Sequence, residues 1–291
     1  KDTSMVKMTK DLAWTQIGYL VLNNVDALLL MAFNGPVMVS IYTTYNYILR
    51  FLNEVASRVE LSSVYSFGNV FAKKEDDRVY SLFKEFLMLF ILIAFSMSIT
   101  FMIGIRGFVS VWVGKENYIL SYLTVVLFTS TLFLNIMYYP LVALINADGL
   151  FKDNKKHIFI CATTNLVLSI ILINFFGING ILLGTAIAFL VNILLKTNLV
   201  TKKILKEVKL IDVLKYFIIT ILLFVILSLI LTPVESYFVS ISTGFISTII
   251  KLGIVFILVT LITMIILYLI SNDAKNLFRR ILNMLKRKLK K

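Results

Sequence analysis

Charged and helix-breaking residues are scarce in this sequence. Only 15% of its 291 residues are charged, whereas about a quarter of a soluble domain is charged. Twelve glycines and three prolines are too few for a collagen-like or low-complexity chain. The single cysteine, Cys161, excludes an internal disulfide, and the single histidine, His157, has no second histidine with which to hold a metal ion.

Long hydrophobic runs accompany this shortage of charge. Hydrophobic residues make up 59% of the chain, and its mean hydropathy is +0.91. A helix needs about 20 mainly apolar residues to cross a bilayer, and none of the runs shows the ten-residue alternation of a transmembrane β-barrel. We therefore predict an all-α polytopic membrane helix bundle. Its eight expected spans cover about 13–33, 38–64, 86–105, 118–147, 157–176, 179–199, 213–232 and 245–270.

The basic residues are distributed unevenly between the two sides of the predicted membrane. When successive connections are assigned to alternate sides, most of the 29 lysines and arginines, Lys196 among them, fall on one side. Arg106, Lys115 and Lys251 fall on the other. Because cytoplasmic loops are enriched in Lys and Arg, both termini are expected in the cytoplasm. The same bias accounts for the net charge of +13 without a nucleic-acid partner.

The second span has a polar face. With about 100° of rotation per residue, one side of this helix is polar over about 160° and the other is apolar. Lipid does not solvate such a face, so we expect it to line a water-filled cavity or to pack against polar helices. The polar side holds Asn46, Arg50, Asn53, Glu54, Ser57, Arg58 and Glu60.

Two interpretations of these charges remain open. In one, Glu54 forms i,i+4 ion pairs with Arg50 and Arg58 that neutralise the helix, and the residues nearest its end reach the cytoplasmic surface. In the other, Arg50 binds an anionic group of a substrate, since a guanidinium donates two parallel hydrogen bonds to phosphate. The second interpretation predicts a substrate cavity formed by Asn46, Arg50, Asn53, Glu54, Ser57 and Arg58.

A carboxylate and two amides, Asp26, Asn23 and Asn24, interrupt the first span. An ionisable group at this depth costs about 2.5–3.5 kcal/mol and therefore has a partner or a function. Asp26 either joins helices by hydrogen bonds or, with Asn23 and Asn24, binds a proton or a sodium ion that drives transport. The sequence does not decide between these two roles.

The turn at 34–36 places Asp26 relative to the second span. Its Asn-Gly-Pro sequence predicts that the first two spans form an antiparallel hairpin. At 1.5 Å per residue, Arg50 then lies about 9 Å deeper than Asp26. We therefore expect Asp26 to contact Tyr42, Asn46 or a helix that is missing from this sequence, rather than to form a salt bridge with Arg50.

Polar and small residues in the later spans are expected to shape helix packing. Pro140 should bend the fourth span, and Asn165 and Asn192 should form hydrogen bonds between helices. Gly180 and Gly184 form a small-residue face that favours close approach of two helices. Beyond the last span, residues 271–291 repeat apolar and basic positions, so we predict a basic amphipathic helix on the inner membrane surface with Asp273 as its N-cap.

Four stretches, in this order, resemble the C-terminal portion of bacterial flippases for polysaccharides and lipid-linked oligosaccharides, whose superfamily also contains multidrug and toxin extruders. They cover about 22–195, roughly two-thirds of the chain, and none is a catalytic motif. They read "LNNVDALLLMAFNGPVMVSIYTTYNYI", "VYSFGNVFAKKE", "WVGKENY" and "LVALINADGLFKDNKKHIFICATTNLVLSIILINFFGINGILLGTAIAF".

The resemblance implies two six-helix bundles around a central cavity, with the first bundle missing upstream of Lys1. It implies basic cavity residues that engage the substrate pyrophosphate, and Arg50 is the position that best fits that role. The expected organisation is a cytoplasmic lead-in at 1–12, a six-helix transport bundle at 13–199, a basic cytoplasmic loop at 200–212, two additional spans at 213–270 and the tail helix at 271–291.

The function implied is export of undecaprenyl-pyrophosphate-linked oligosaccharide across the bacterial cytoplasmic membrane by alternating access, without catalysis and without a cofactor beyond a coupling Na⁺ or H⁺. Its partners would be the lipid-linked oligosaccharide, membrane lipids, the missing N-terminal half and the polysaccharide polymerase machinery. Tyr42, Tyr45 and Tyr47 are either sugar-stacking or interface aromatics. Cation-coupled multidrug efflux is the alternative. A membrane-embedded polymerase or glycosyltransferase is disfavoured because Glu116 and Glu235, the acids on the outer side, stand apart.

Overall fold

The computed structural model describes the backbone of residues 3–289 and the side chains of 9–10, 13–14, 24–75 and 78–280. This part of the chain is helical almost throughout and contains no strand. Its helices are α1 (Thr3–Ala72), α2 (Asp76–Val113), α3 (Tyr122–Met137), α4 (Tyr139–Ala147), α5 (Phe151–Phe176), α6 (Ile178–Lys203), α7 (Leu210–Ile230), α8 (Thr232–Ser240), α9 (Phe245–Ile270) and α10 (Asn272–Leu289), with a 3₁₀ turn at Glu116–Tyr118.

The helices have the lengths and compositions of membrane spans. Among the described residues, seven segments are long and apolar enough to cross a bilayer. This agrees with the predicted all-α membrane protein. The first segment, Asn24–Ala72, includes the predicted turn at 34–36 and so combines parts of the first two expected spans.

A hairpin within α1 is confirmed. Gly35 interrupts the helical backbone with a φ of 78°, a conformation that glycine adopts without steric cost. In a continuous helix, Asp26 and Tyr42 would be about 24 Å apart. Instead the Tyr42 hydroxyl donates to Asp26 Oδ2 at 3.2 Å, so the arms 3–34 and 36–72 lie side by side.

α2 is longer than the third predicted span. Its 38 residues extend about 57 Å, well beyond the roughly 30 Å of bilayer hydrocarbon. The predicted spans 86–105 and 118–147 left 106–117 as a connection, and the structure shows that these residues are helical as far as Val113; the helix ends at Gly114, which has a left-handed φ of 67°. A hydropathy criterion ended this span too early because charged residues occupy both ends of the helix.

The fourth predicted span is bent, as expected. α3 ends at Met137 and α4 begins at Tyr139, with Pro140 in its first turn. At its beginning, Ser121 caps α3 by accepting a hydrogen bond from the Thr124 backbone N–H at 3.2 Å. The bend separates α3, which packs mainly on α2 and α6, from α4, which packs mainly on α1.

α5 and α6 form a tight antiparallel pair, and the predicted small-residue contact is confirmed. A Cβ atom placed on Gly180 would lie 2.2 Å from the Leu172 carbonyl oxygen, and one on Gly184 would lie 2.6 Å from Ser169 Oγ. Neither position has room for a side chain. This close contact brings the polar side chains of the two helices together.

The last helices pack around α2 and α3. The Phe224 ring of α7 stacks on that of Phe133 in α3 with 4.3 Å between centroids. In α8, the buried Glu235 carboxylate accepts hydrogen bonds from Arg106 Nη1 of α2, at 3.1 Å for each oxygen. In α9, Leu252 packs directly over Gly104 of α2.

The tail helix α10 docks on the first part of α2. Asp273 forms an ion pair with Lys84 at 3.0 Å, and Arg280 pairs with Glu85 at 3.1 Å. The predicted N-cap is wrong: α10 begins at Asn272, and the Ser271 hydroxyl accepts from the Ala274 backbone N–H at 3.3 Å. Asp273 lies within the first turn, where its charge is used for the ion pair.

Candidate functional site

A polar cavity of about 640 Å³ opens between α1, α3, α4 and α6. About half of its polar lining residues come from the second arm of α1, as the polar face of the second span predicted. The lining residues are Asn24, Asp26, Tyr42, Asn46, Leu49, Arg50, Asn53, Glu54, Ser57, Glu60, Phe128, Thr131, Asn135, Tyr138, Tyr139, Val142, Asn146, Leu182, Thr185 and Phe189.

Most of the predicted substrate residues line this cavity, but Arg58 does not. Asn46, Arg50, Asn53, Glu54 and Ser57 are all part of its wall. Arg58 instead bonds Glu54 at 2.6 Å on the exposed side of the helix, where 73% of the arginine side chain is accessible. Arg58 stands about 120° from Asn46 around the helix, at the edge of the polar arc, and it is not among the residues that line this cavity.

Asp26 is held between three helices. Its Oδ2 accepts from the Tyr42 hydroxyl at 3.2 Å and from the Thr185 hydroxyl of α6 at 3.1 Å. Asn165 of α5 donates to Thr185 at 2.8 Å, and Asp26 Oδ1 has no hydrogen-bond partner. The predicted contact with Tyr42 is confirmed, whereas the contact with Thr185 was not foreseen.

The two amides predicted beside Asp26 have different outcomes. Asn24 lines the cavity, and its Oδ1 accepts from Arg50 Nη2 at 3.3 Å. The side chain of Asn23 lies outside the described residues. Asn24 therefore connects Arg50 of the second arm to the first arm, two residues before Asp26.

At the other end of the cavity, Glu60 contributes a carboxylate. Its Oε1 accepts a long hydrogen bond of 3.4 Å from Asn146 of α4. Glu60 belongs to the predicted polar face, but one interpretation placed it at the membrane surface; the structure places it in the cavity wall. Three carboxyl groups, Asp26, Glu54 and Glu60, thus share the wall with one guanidinium, Arg50.

Sequence reasoning missed most polar lining residues outside α1. Thr131, Asn135, Asn146 and Thr185 are single polar positions in apolar helices, and no periodic pattern distinguishes them. Of the three tyrosines proposed to contact sugars, only Tyr42 lines the cavity.

One prediction about α6 is wrong, and one residue has an unforeseen environment. Lys196 was assigned with the other lysines to one side of the membrane, and the structure shows that its side chain is completely buried and donates to Asn154 of α5. Asn192 was expected to bond another helix, yet neither amide atom has a partner. Asn165, for which the same role was predicted, does bond Thr185 across the helix pair.

The described residues contain no group of three or more His, Cys, Asp or Glu side chains that could hold a metal ion. The arrangement instead offers hydrogen-bonding groups and opposite charges around a cavity, which suits binding of a polar molecule. No protein-family model matches the chain, and no curated protein is found to be similar to it.

Proposed function

We propose that this chain is part of an exporter that moves lipid-linked oligosaccharide across the cytoplasmic membrane by alternating access. The main support is the polar cavity within a bundle of apolar helices, since polar groups at membrane depth usually mark a transport path. The lipid tail would stay in the bilayer while the sugar and pyrophosphate pass through the cavity. The resemblance to flippases in the sequence motivates this choice of substrate.

The side chains of the cavity suit the two polar parts of such a substrate. Arg50 presents a guanidinium to a pyrophosphate oxygen pair. Five asparagines line the cavity, and an amide can both donate to and accept from sugar hydroxyls. The carbonyl oxygens of Asn53 and Asn135 are buried without a partner and could accept such hydrogen bonds.

Asp26 is the proposed coupling group. Its unpartnered oxygen and its neighbours Thr185 and Asn165 provide oxygen atoms that could hold a proton or a sodium ion. Binding there would alter the contacts between α1 and α6, both of which line the cavity. A second bundle, supplied by the N-terminal half that the resemblance implies, would complete the cavity and rock against this one.

Cation-coupled drug efflux is the second candidate, and the charge of the cavity favours it. With Arg58 outside, carboxyl groups outnumber guanidinium groups in the wall. An acidic wall attracts cationic compounds. If this candidate is right, the protein should export a cationic dye, and neutralising Glu54 should weaken that export.

The proposal is tested in bacteria that lack their own flippase and therefore make no surface polysaccharide. The wild-type protein should restore the polysaccharide, and Arg50→Ala should abolish the rescue at equal protein level. Arg58→Ala is the matched control, since it removes an arginine from the same helix but outside the cavity, and should rescue normally. Normal rescue by Arg50→Ala would show that this arginine does not bind the substrate.

A further inference from the structure

Buried polar residues lie between α5, α6 and the first arm of α1, and two of them, Asp26 and Thr185, also line the cavity. We call this group the polar seam. Each of its members is at most 7% exposed, although the surrounding helices are apolar. The seam consists of Asp26, Asn154, Asn165, Thr185, Asn192 and Lys196.

At each end of the seam, a residue of α5 forms a hydrogen bond with a residue of α6. At one end Asn165 bonds Thr185, which bonds Asp26. At the other, Lys196 bonds Asn154. Within each helix the two positions are eleven residues apart, which corresponds to about 16 Å. The seam therefore follows the antiparallel pair for about three helical turns.

Several polar atoms between these ends have no hydrogen-bond partner. Both amide atoms of Asn192 are buried and unpaired, as are Asn165 Oδ1 and Asp26 Oδ1. Buried polar groups in proteins are almost always paired, with water where no side chain serves. Unpaired, nearly inaccessible groups in a row therefore point to small polar occupants, water or a monovalent cation, along the seam.

Lys196 occupies the end of the seam that lies among basic residues. Its ammonium donates to Asn154 and lies 5.9 Å from the ring centroid of Tyr138, a cavity residue. The same end of α6 bears the exposed Lys202 and Lys203, and we expect this end to face the cytoplasm. A cation that entered the seam from here would meet the Lys196 charge before it reached Asp26.

We propose that Lys196 is an electrostatic plug that prevents small cations from reaching Asp26 through the polar seam. The inference rests on the proposed coupling role of Asp26. Asp26 lines the cavity as well as the seam, so a closed seam leaves the cavity as its route for cation exchange. Cation movement would then be tied to the opening and closing of the cavity, which coupled transport requires.

Lys196 could instead serve only to hold α5 against α6. In that case its replacement would lower the unfolding temperature and leave cation permeability unchanged. The plug predicts a permeability change that a structural role does not. In a medium with an effective dielectric constant near 20, a unit positive charge about 8 Å from a passing cation slows its passage about thirtyfold.

The test measures uptake of radioactive sodium, and of protons with a pH-sensitive dye, into vesicles that contain the purified chain. Lys196→Gln should raise uptake of at least one of these cations at least about tenfold. Lys196→Arg keeps the charge and should leave uptake unchanged. Lys202→Gln, which neutralises an exposed lysine of the same helix, is the matched control and should also leave it unchanged.

Adding Asp26→Asn to Lys196→Gln should return uptake to the wild-type level, because the seam ends at that carboxylate. If folded Lys196→Gln takes up both cations at the wild-type rate, the plug is overturned. If Asp26→Asn does not reduce the uptake, the proposed route through the seam is overturned.

If Lys196→Gln does not fold, Lys196→Met replaces it, since an apolar side chain of similar size is tolerated in a buried site. The assay contains no oligosaccharide, so its failure is distinct from failure of the rescue experiment.

Discussion

The contact between α5 and α6 at Gly180 gives a quantitative prediction for Gly180→Ala. The new Cβ would lie 2.2 Å from the Leu172 carbonyl oxygen and 2.4 Å from its carbon. Carbon and oxygen atoms normally approach to about 3.3 Å, so the helices must separate by about 1 Å. The obstacle is backbone and cannot rotate away, unlike the end of a side chain.

The expected loss follows from two opposing contributions. Overpacking of this kind costs about 1–3 kcal/mol, and a backbone obstacle favours the upper part of that range. Alanine in a helix interior regains about 1 kcal/mol relative to glycine. The net destabilisation should therefore be about 1–2 kcal/mol, which lowers the unfolding temperature by roughly 2–8 °C.

Thermal unfolding of the purified protein in detergent measures this effect. Gly253→Ala is the matched control, because Gly253 also lies inside a helix but its Cβ would have no neighbour within 4 Å. That variant should unfold at the wild-type temperature or slightly above it. If the unfolding temperature of Gly180→Ala is not lower than that of Gly253→Ala, α5 and α6 do not approach each other closely at Gly180.

Two further predictions concern the buried charges. Arg106→Met leaves the buried Glu235 carboxylate without its partner and should lower the free energy of unfolding by about 3–5 kcal/mol. Arg78→Met breaks an exposed ion pair and should lower it by less than about 1 kcal/mol. Equal losses in the two variants would contradict this ranking. Asp26→Asn keeps the size of the side chain and removes its charge, so transport should no longer depend on sodium and proton gradients. If the dependence is unchanged, Asp26 serves only to join helices by hydrogen bonds.

Burial also changes the acid–base behaviour of the Arg106–Glu235 ion pair. It raises the pKa of the Glu235 carboxyl above its ordinary value, although the Arg106 guanidinium acts in the opposite sense. Desolvation therefore outweighs attraction at this carboxyl. The pair is better understood as a means of compensating a buried charge than as a source of net stability.

Local and periodic features could be predicted from the sequence because they depend on neighbouring residues. The hairpin followed from the turn around Gly35, and its depth count placed Asp26 closer to the level of Tyr42 and Asn46 than to that of Arg50. The polar face of the second span followed from a period of 3.6 residues. The tight helix pair followed from Gly180 and Gly184, which are separated by one helical turn.

Single polar residues in apolar helices could not be assigned in the same way. Asn192 and Lys196 lie in one apolar stretch of α6, and nothing in the pattern shows which side of the helix faces protein. Lys196 stands near a basic segment, so counting charges placed it with the other lysines on one side of the membrane and did not reveal that its side chain is buried. Its burial depends on the packing of α5, which supplies Asn154.

The sequence by itself determined that this is a helical membrane protein, that the chain reverses direction at Gly35 and that one face of the second span is polar. These properties arise from composition, period and turn chemistry, which are local. Only the tertiary structure decided that Thr185 meets Asp26 across 159 positions, that Arg58 lies outside the cavity and that Lys196 is buried beside Asn154 of α5. Those outcomes depend on how helices distant in sequence rotate and pack against one another, and no local rule specifies that.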